Sequence, residues 1–86
     1  MARYEFRFGA SVAKDLRDIP RADVERSLSR IDTLRDNPHP QGSEKLTAQE
    51  RYRIRQGNDR IVYGIEDTAL IVEVIKVGHR RDIDRK

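Results

Sequence analysis

Two short runs, Tyr52-Arg-Ile-Arg55 and Arg60-Ile-Val-Tyr63, constrain this chain most, because charged and apolar residues interleave in both. Period-two alternation is the signature of a half-buried strand. Tyr52 and Ile54 then face one way and Arg51, Arg53 and Arg55 the other; on the second strand Ile61, Tyr63 and Ile65 oppose Arg60, Val62 and Gly64. Gly57 and Asn58 permit a tight reversal that brings Arg60 alongside Arg53 or Arg55. A sheet carrying several guanidinium groups on one face has the geometry to bind phosphates.

The remaining segments supply the other side of the sheet. Tyr4-Glu-Phe-Arg-Phe8 alternates as a strand and Gly9 breaks it. Val12, Ala13, Leu16 and Ile19 recur at helical spacing behind Ser11, a residue type suited to an N-cap. Pro20 opens a second helix of about four turns, with Val24, Leu28, Ile31 and Leu34 on its apolar stripe and Asn37-Pro38 at its end. His39 to Ser43 reads as a turn-rich connector. A third strand candidate, Leu70 to Val77, is apolar at nearly every position and reads as central, covered on both sides. The expected fold is α+β, one domain over residues 1–86, with an antiparallel sheet packed on two N-terminal helices in the order β-α-α-β-β-β.

With 86 residues the core must be small. The absence of cysteine excludes a disulfide-stapled module and a thiolate zinc site. No apolar run approaches the roughly 20 residues of a membrane-spanning helix, and Met1-Ala-Arg-Tyr-Glu5 lacks a signal-peptide core, so a cytoplasmic protein without a membrane partner is expected. Residues 1–50 carry nine Lys/Arg and nine Asp/Glu, whereas residues 51–86 carry nine and six, so the whole net charge of +3 falls in the arginine-bearing part. That suits a surface facing a polyanion, although mixed charges also keep any small domain soluble.

The succession Lys45-Leu46, Tyr52-Arg-Ile-Arg55, Gly57, Arg60-Ile-Val-Tyr63 and Val77-Gly-His-Arg80, with a short acidic and basic tail, resembles the RelE toxins of the RelE/ParE superfamily. The likeness runs over almost the entire chain, including the two helices and Asn37-Pro38. It implies a ribosome-dependent mRNA endoribonuclease acting by 2′-hydroxyl attack, with no cofactor and no metal. Its implied partners are a RelB-like antitoxin, the ribosome and mRNA, with operator DNA reached only through the antitoxin. Carried over by position, Arg60 and Arg80 would stabilise transition-state charge, while Arg53 and Arg55, together with Lys45 and Arg81, would hold the RNA. His79 is a candidate proton shuttle, since imidazole titrates near neutrality. Neither histidine has a metal-like partner spacing in the sequence, and His39 is given no role.

Two departures bear on activity. Many relatives carry tyrosine where this chain has Asp84 in Arg81-Asp-Ile-Asp84-Arg85, and an aromatic where it has Asp59. Either Asp84 acts as a base in a rearranged site, or the toxin is weakened or inactive. A ParE-like inhibitor of DNA gyrase and a non-catalytic antitoxin-binding module are the alternative readings.

Overall fold

The computed structural model describes residues 3–46 and 51–79. Its elements follow the order β1 (Glu5–Phe8), α1 (Val12–Arg17), α2 (Arg21–Thr33), β2 (Glu44–Lys45), β3 (Arg51–Gln56), β4 (Asp59–Glu66) and β5 (Ile71–His79). The five strands form one sheet in the order β1-β5-β4-β3-β2. The hairpin-linked strands β3, β4 and β5 are antiparallel, as their short connections dictate, and β2 adds antiparallel to β3. β1, however, runs parallel to β5, with Phe6 beside Val72 and Phe8 beside Val74. The sheet is therefore mixed, because the chain returns to β1 only after both helices and three strands, a connection long enough for parallel pairing.

Alternation on β3 and β4 falls as the sequence requires. Ile54, Ile61, Tyr63 and Ile65 are buried beside Val72, Val74 and Val77, and Ile31 and Leu34 from the α2 region close the core over them. The α2 stripe differs from expectation at one position: Leu28 is 40% exposed and Ser27 is fully buried. Positions 24, 27, 31 and 34 follow helical spacing as well as 24, 28, 31 and 34 do. Ser27 can turn inward because its hydroxyl donates to buried Asp59 at 2.9 Å.

α1 has a different task. β1 ends at Phe8, which leaves the outer edge of β5 beyond Val74 without a strand, and α1 covers it. The Ser11 hydroxyl donates to the Ile75 carbonyl at 3.4 Å, and the Asp15 carboxylate accepts the Val77 N–H at 3.1 Å. Ser11 occupies the N-cap position yet makes no capping bond with its side chain. Pro20 is itself the N-cap of α2, its φ of −53° and ψ of 141° placing it one residue before the first helical position. The last strand is not covered on both sides by the described residues, since Ile71 and Ile75 are half-buried and Glu73 is exposed on the face away from the helices.

Candidate nucleic-acid interface

Register places the arginines on the open face of the sheet. Arg55 lies directly opposite Arg60, Arg53 opposite Val62, and Arg51 opposite Gly64. On the far side of β4, Arg60 faces Gly78 and Val62 faces Lys76. Residues paired across a ladder share a face, so Arg51, Arg53, Arg55, Arg60 and Lys76 lie together with Glu44 and Glu73, and Lys76 is paired with Asp15 at 3.5 Å. Arg55 is exposed, whereas Arg60 is only 9% exposed, and Gly78 presents no side chain beside it. The tight reversal that makes the Arg55–Arg60 pair depends on Gly57, whose φ of +60° is a conformation that L side chains rarely adopt.

Arg53 is held by an ion pair between its Nη2 and the Glu44 carboxylate on β2. That guanidinium holds Glu44 below the usual carboxylate range, first by hydrogen bonding and then by charge. The buried Arg53 Nε has no hydrogen-bond partner among the described residues. Gly42, Glu44, Arg53 and Arg55 line a groove of about 370 Å³. Phosphate oxygens entering it would meet the exposed Arg55 and the unsatisfied Nε donor of Arg53, with Glu44 as competitor.

The remaining candidates divide. Arg80, Arg81 and Asp84 lie outside the described residues. Lys45 pairs with Tyr52 in register, which sets it in the row that Tyr52 and Tyr63 occupy on the helix side, not in the arginine row. His79 pairs with Asp59 and faces the helices: its Nδ1 lies 2.7 Å from Asp59 Oδ1, and Asp59 Oδ2 accepts from Ser27. His79 is thus on the opposite side of the sheet from Arg60, and the expectation that it lies beside the arginines is not met. Asp59, which sequence reasoning treated as a missing aromatic, is a buried hydrogen-bond centre. Its only signal in the sequence was a carboxylate where the strand pattern demanded an inward-facing residue.

Sequence and fold comparisons agree with this architecture. The model of the family described as "ParE toxin of type II toxin-antitoxin system" matches residues 6–84. A putative RelE-like toxin protein of Escherichia coli is 27% identical over 84 residues, 95% of this chain and 88% of that protein. The toxin–antitoxin complex RelBE2 of Mycobacterium tuberculosis contains a chain of similar fold, at TM-score 0.80 and 23% identity, covering 92% of this chain and all of that one, 100%. A chain of the archaeal RelE–RelB complex from Pyrococcus horikoshii OT3 gives TM-score 0.78 at 24% identity, over 93% of this chain and 98% of its own length.

Proposed function

We propose, from the premise that the chain belongs to the ParE toxin family of type II toxin–antitoxin systems, that it is an RNA-cleaving toxin acting on ribosome-bound mRNA and neutralised by a RelB-like antitoxin. The observation that carries this reading is the Arg55–Arg60 cross-strand pair. Like charges directly opposite on a sheet are destabilising. A sheet that keeps them together beside Arg53 is better suited to gripping a polyanion than to stability alone.

The chemistry asked of such a face is limited. The ribose 2′-hydroxyl gives up its proton as its oxygen bonds to the adjacent phosphorus, the bond from phosphorus to the 5′-oxygen breaks, and the 5′-oxygen takes up a proton, leaving a 2′,3′-cyclic phosphate and a 5′-hydroxyl. Charge builds on the equatorial phosphate oxygens as this happens. Guanidinium groups remain ionised and bind such oxygens bidentately. Arg60, the most enclosed, acts where exclusion of water makes its charge most effective. Arg55 and Arg53 hold the backbone in place for in-line attack. Arg80 joins Arg60 at the phosphate and Arg81 extends the grip on RNA, while Asp84 replaces the tyrosine of related toxins and lowers the rate. A second reading, inhibition of DNA gyrase, is favoured by the family whose model matches, since its name is that of the ParE toxins.

Primer extension on an mRNA translated in a reconstituted system decides between them. Cuts within codons, lost in Arg55→Ala and Arg60→Lys but retained in Arg35→Gln, are the expected result. Arg35 stacks over Phe6 at 4.5 Å and pairs with Asp32, away from the arginine row. Absence of cuts from both the natural sequence and Asp84→Tyr, with supercoiling by gyrase blocked, would refute the nuclease reading and establish the second.

A further inference from the structure

The helix side of the sheet carries a constellation that the proposed RNA chemistry does not use. Asp23 from the first turn of α2, Asp59 from the start of β4 and His79 from the end of β5 offer ligand atoms that all lie within 4.8 Å of one another. We propose that these three side chains form a binding site for a divalent transition-metal ion of the Zn²⁺ type, on the opposite face of the sheet from the arginines.

Three observations converge on it. The donor set is one imidazole nitrogen and two carboxylate oxygens, which suits Zn²⁺ with water completing the shell and does not suit oxygen-seeking Mg²⁺. Asp59 is 1% exposed and has a second carboxylate close by. A buried carboxylate beside another is electrostatically costly, and a divalent cation between them reverses the sign of that term. Access is also provided, because the Asp23 and His79 side chains are 28% and 35% exposed and form the solvent side of the cluster.

The geometry needs only small adjustment. Donors about 2.0–2.1 Å from a tetrahedral ion stand about 3.3 Å apart. His79 Nδ1 and Asp59 Oδ1, now 2.7 Å apart, would separate by about 0.6 Å as the ion enters between them. The most distant donors, at no more than 4.8 Å, would close by up to about 1.5 Å, which side-chain rotation supplies. Ser27 already performs the outer task of orienting a ligand: its hydroxyl holds Asp59 Oδ2 and leaves Oδ1 toward His79. Arg26 opposes the ion, since its Nη1 lies 2.7 Å from Asp23 Oδ1, yet its side chain is 61% exposed and free to swing into solvent. The ion would join α2 to the ends of two central strands, so binding should register as stability.

The test is thermal unfolding of the purified full-length chain, stripped with a chelator and then titrated with ZnCl₂, alongside calorimetry for stoichiometry. One ion per chain is expected, with Tm rising by roughly 10 °C at a free concentration about a hundredfold above Kd. MgCl₂ should leave Tm unchanged. His79→Gln and Asp23→Asn should each weaken Zn²⁺ binding at least about tenfold, by loss of a ligand, while His39→Gln should leave it intact. Asp23 is half-exposed and outside the core, so Asp23→Asn decides the matter even where His79→Gln fails to fold. An unchanged Tm with Zn²⁺, an equal response to Mg²⁺, or full Zn²⁺ affinity in Asp23→Asn would each overturn the proposal.

Discussion

Tyr63→Phe should reveal how the connector ahead of the arginine face is anchored. Tyr63 is fully buried on β4, stacked on Tyr52 at 5.8 Å between ring centroids, and its hydroxyl donates to the Pro38 carbonyl at 2.9 Å. Phenylalanine keeps the ring and leaves that buried carbonyl without its donor. The loss should cost about 1–3 kcal/mol at neutral pH. A second effect appears in alkali, because burial pushes the Tyr63 phenol up from 10.0 to about 12. The folded state thus favours the neutral phenol, and the resulting stability is fully present below the unfolded pKa and lost as pH rises through the folded one. A difference of about two pKa units corresponds to roughly 3 kcal/mol, lost between about pH 10 and pH 12. Urea unfolding followed by circular dichroism, on both proteins from neutral pH into this window, measures the two terms separately. The natural protein should begin well above the variant and converge on it as the phenol ionises. Parallel stability curves through the alkaline range would refute the account, and a neutral-pH difference near zero would show that Pro38 finds another donor.

Three further outcomes follow from the same geometry. Glu44→Gln should release Arg53 and raise affinity for a single-stranded RNA oligonucleotide about two- to fivefold, from the usual strength of an exposed ion pair; fluorescence anisotropy at fixed salt checks this, and an unchanged Kd contradicts the competitor role of Glu44. Because Glu44 is held below the ordinary carboxylate range, its ion pair persists above the unfolded pKa and is lost as pH falls through the folded one. Ile31→Ala should cost about 2–5 kcal/mol and Leu28→Ala less than about 1 kcal/mol, since Ile31 is in the core and Leu28 is not; equal losses by urea denaturation would restore Leu28 to the stripe. Gly57→Ala, at a φ of +60°, should lower stability by about 1 kcal/mol through backbone strain, readable as a drop in Tm.

The strand pattern, both helices and the shared arginine face were legible because each rests on local periodicity. β3 and β4 alternate cleanly, and the Gly57 turn fixes their register so that Arg55 meets Arg60. What escaped depends on long-range pairing. The two-residue β2 carries no apolar pattern at all, only Glu44 and Lys45, and exists because β3 offers it an edge. The parallel β1–β5 pair joins segments more than sixty residues apart, about which local spacing says nothing. The Asp23–Asp59–His79 cluster was invisible for the same reason, its members coming from three separate elements. Ser27 carried no apolar signal for the stripe, because its burial depends on a carboxylate far along the chain.

The side on which His79 emerges turns on a single irregularity. Val62 pairs with Lys76 but Tyr63 pairs with Val74, so Ile75 is an extra residue on β5. A bulge of this kind advances the alternation by one step. Val72 and Val74 face the helices before it, and Val77 and His79 face them after it; were Ile75 paired in regular alternation instead of bulged, the phase would carry the residues at 76 and 78 inward. The segment is apolar at most positions, which conceals the change of phase in the sequence. Asp59 and Arg60 show what the phase achieves. They are adjacent on β4, and their partners across the ladder are His79 and Gly78. With the bulge, the buried carboxylate meets an imidazole and the enclosed guanidinium meets a residue with no side chain to obstruct it. Carried on without the bulge, the Tyr63–Val74 register would put Asp59 opposite Gly78, with no donor for its buried carboxylate, and Arg60 opposite Val77, a side chain where glycine now leaves room. α1 holds this arrangement from the edge, since Ser11 and Asp15 bond the Ile75 carbonyl and the Val77 amide on either side of the irregularity. The short first helix therefore braces the bulge that sets which residues each face of the sheet presents, and its Asp15 also reaches Lys76 of the open face at 3.5 Å.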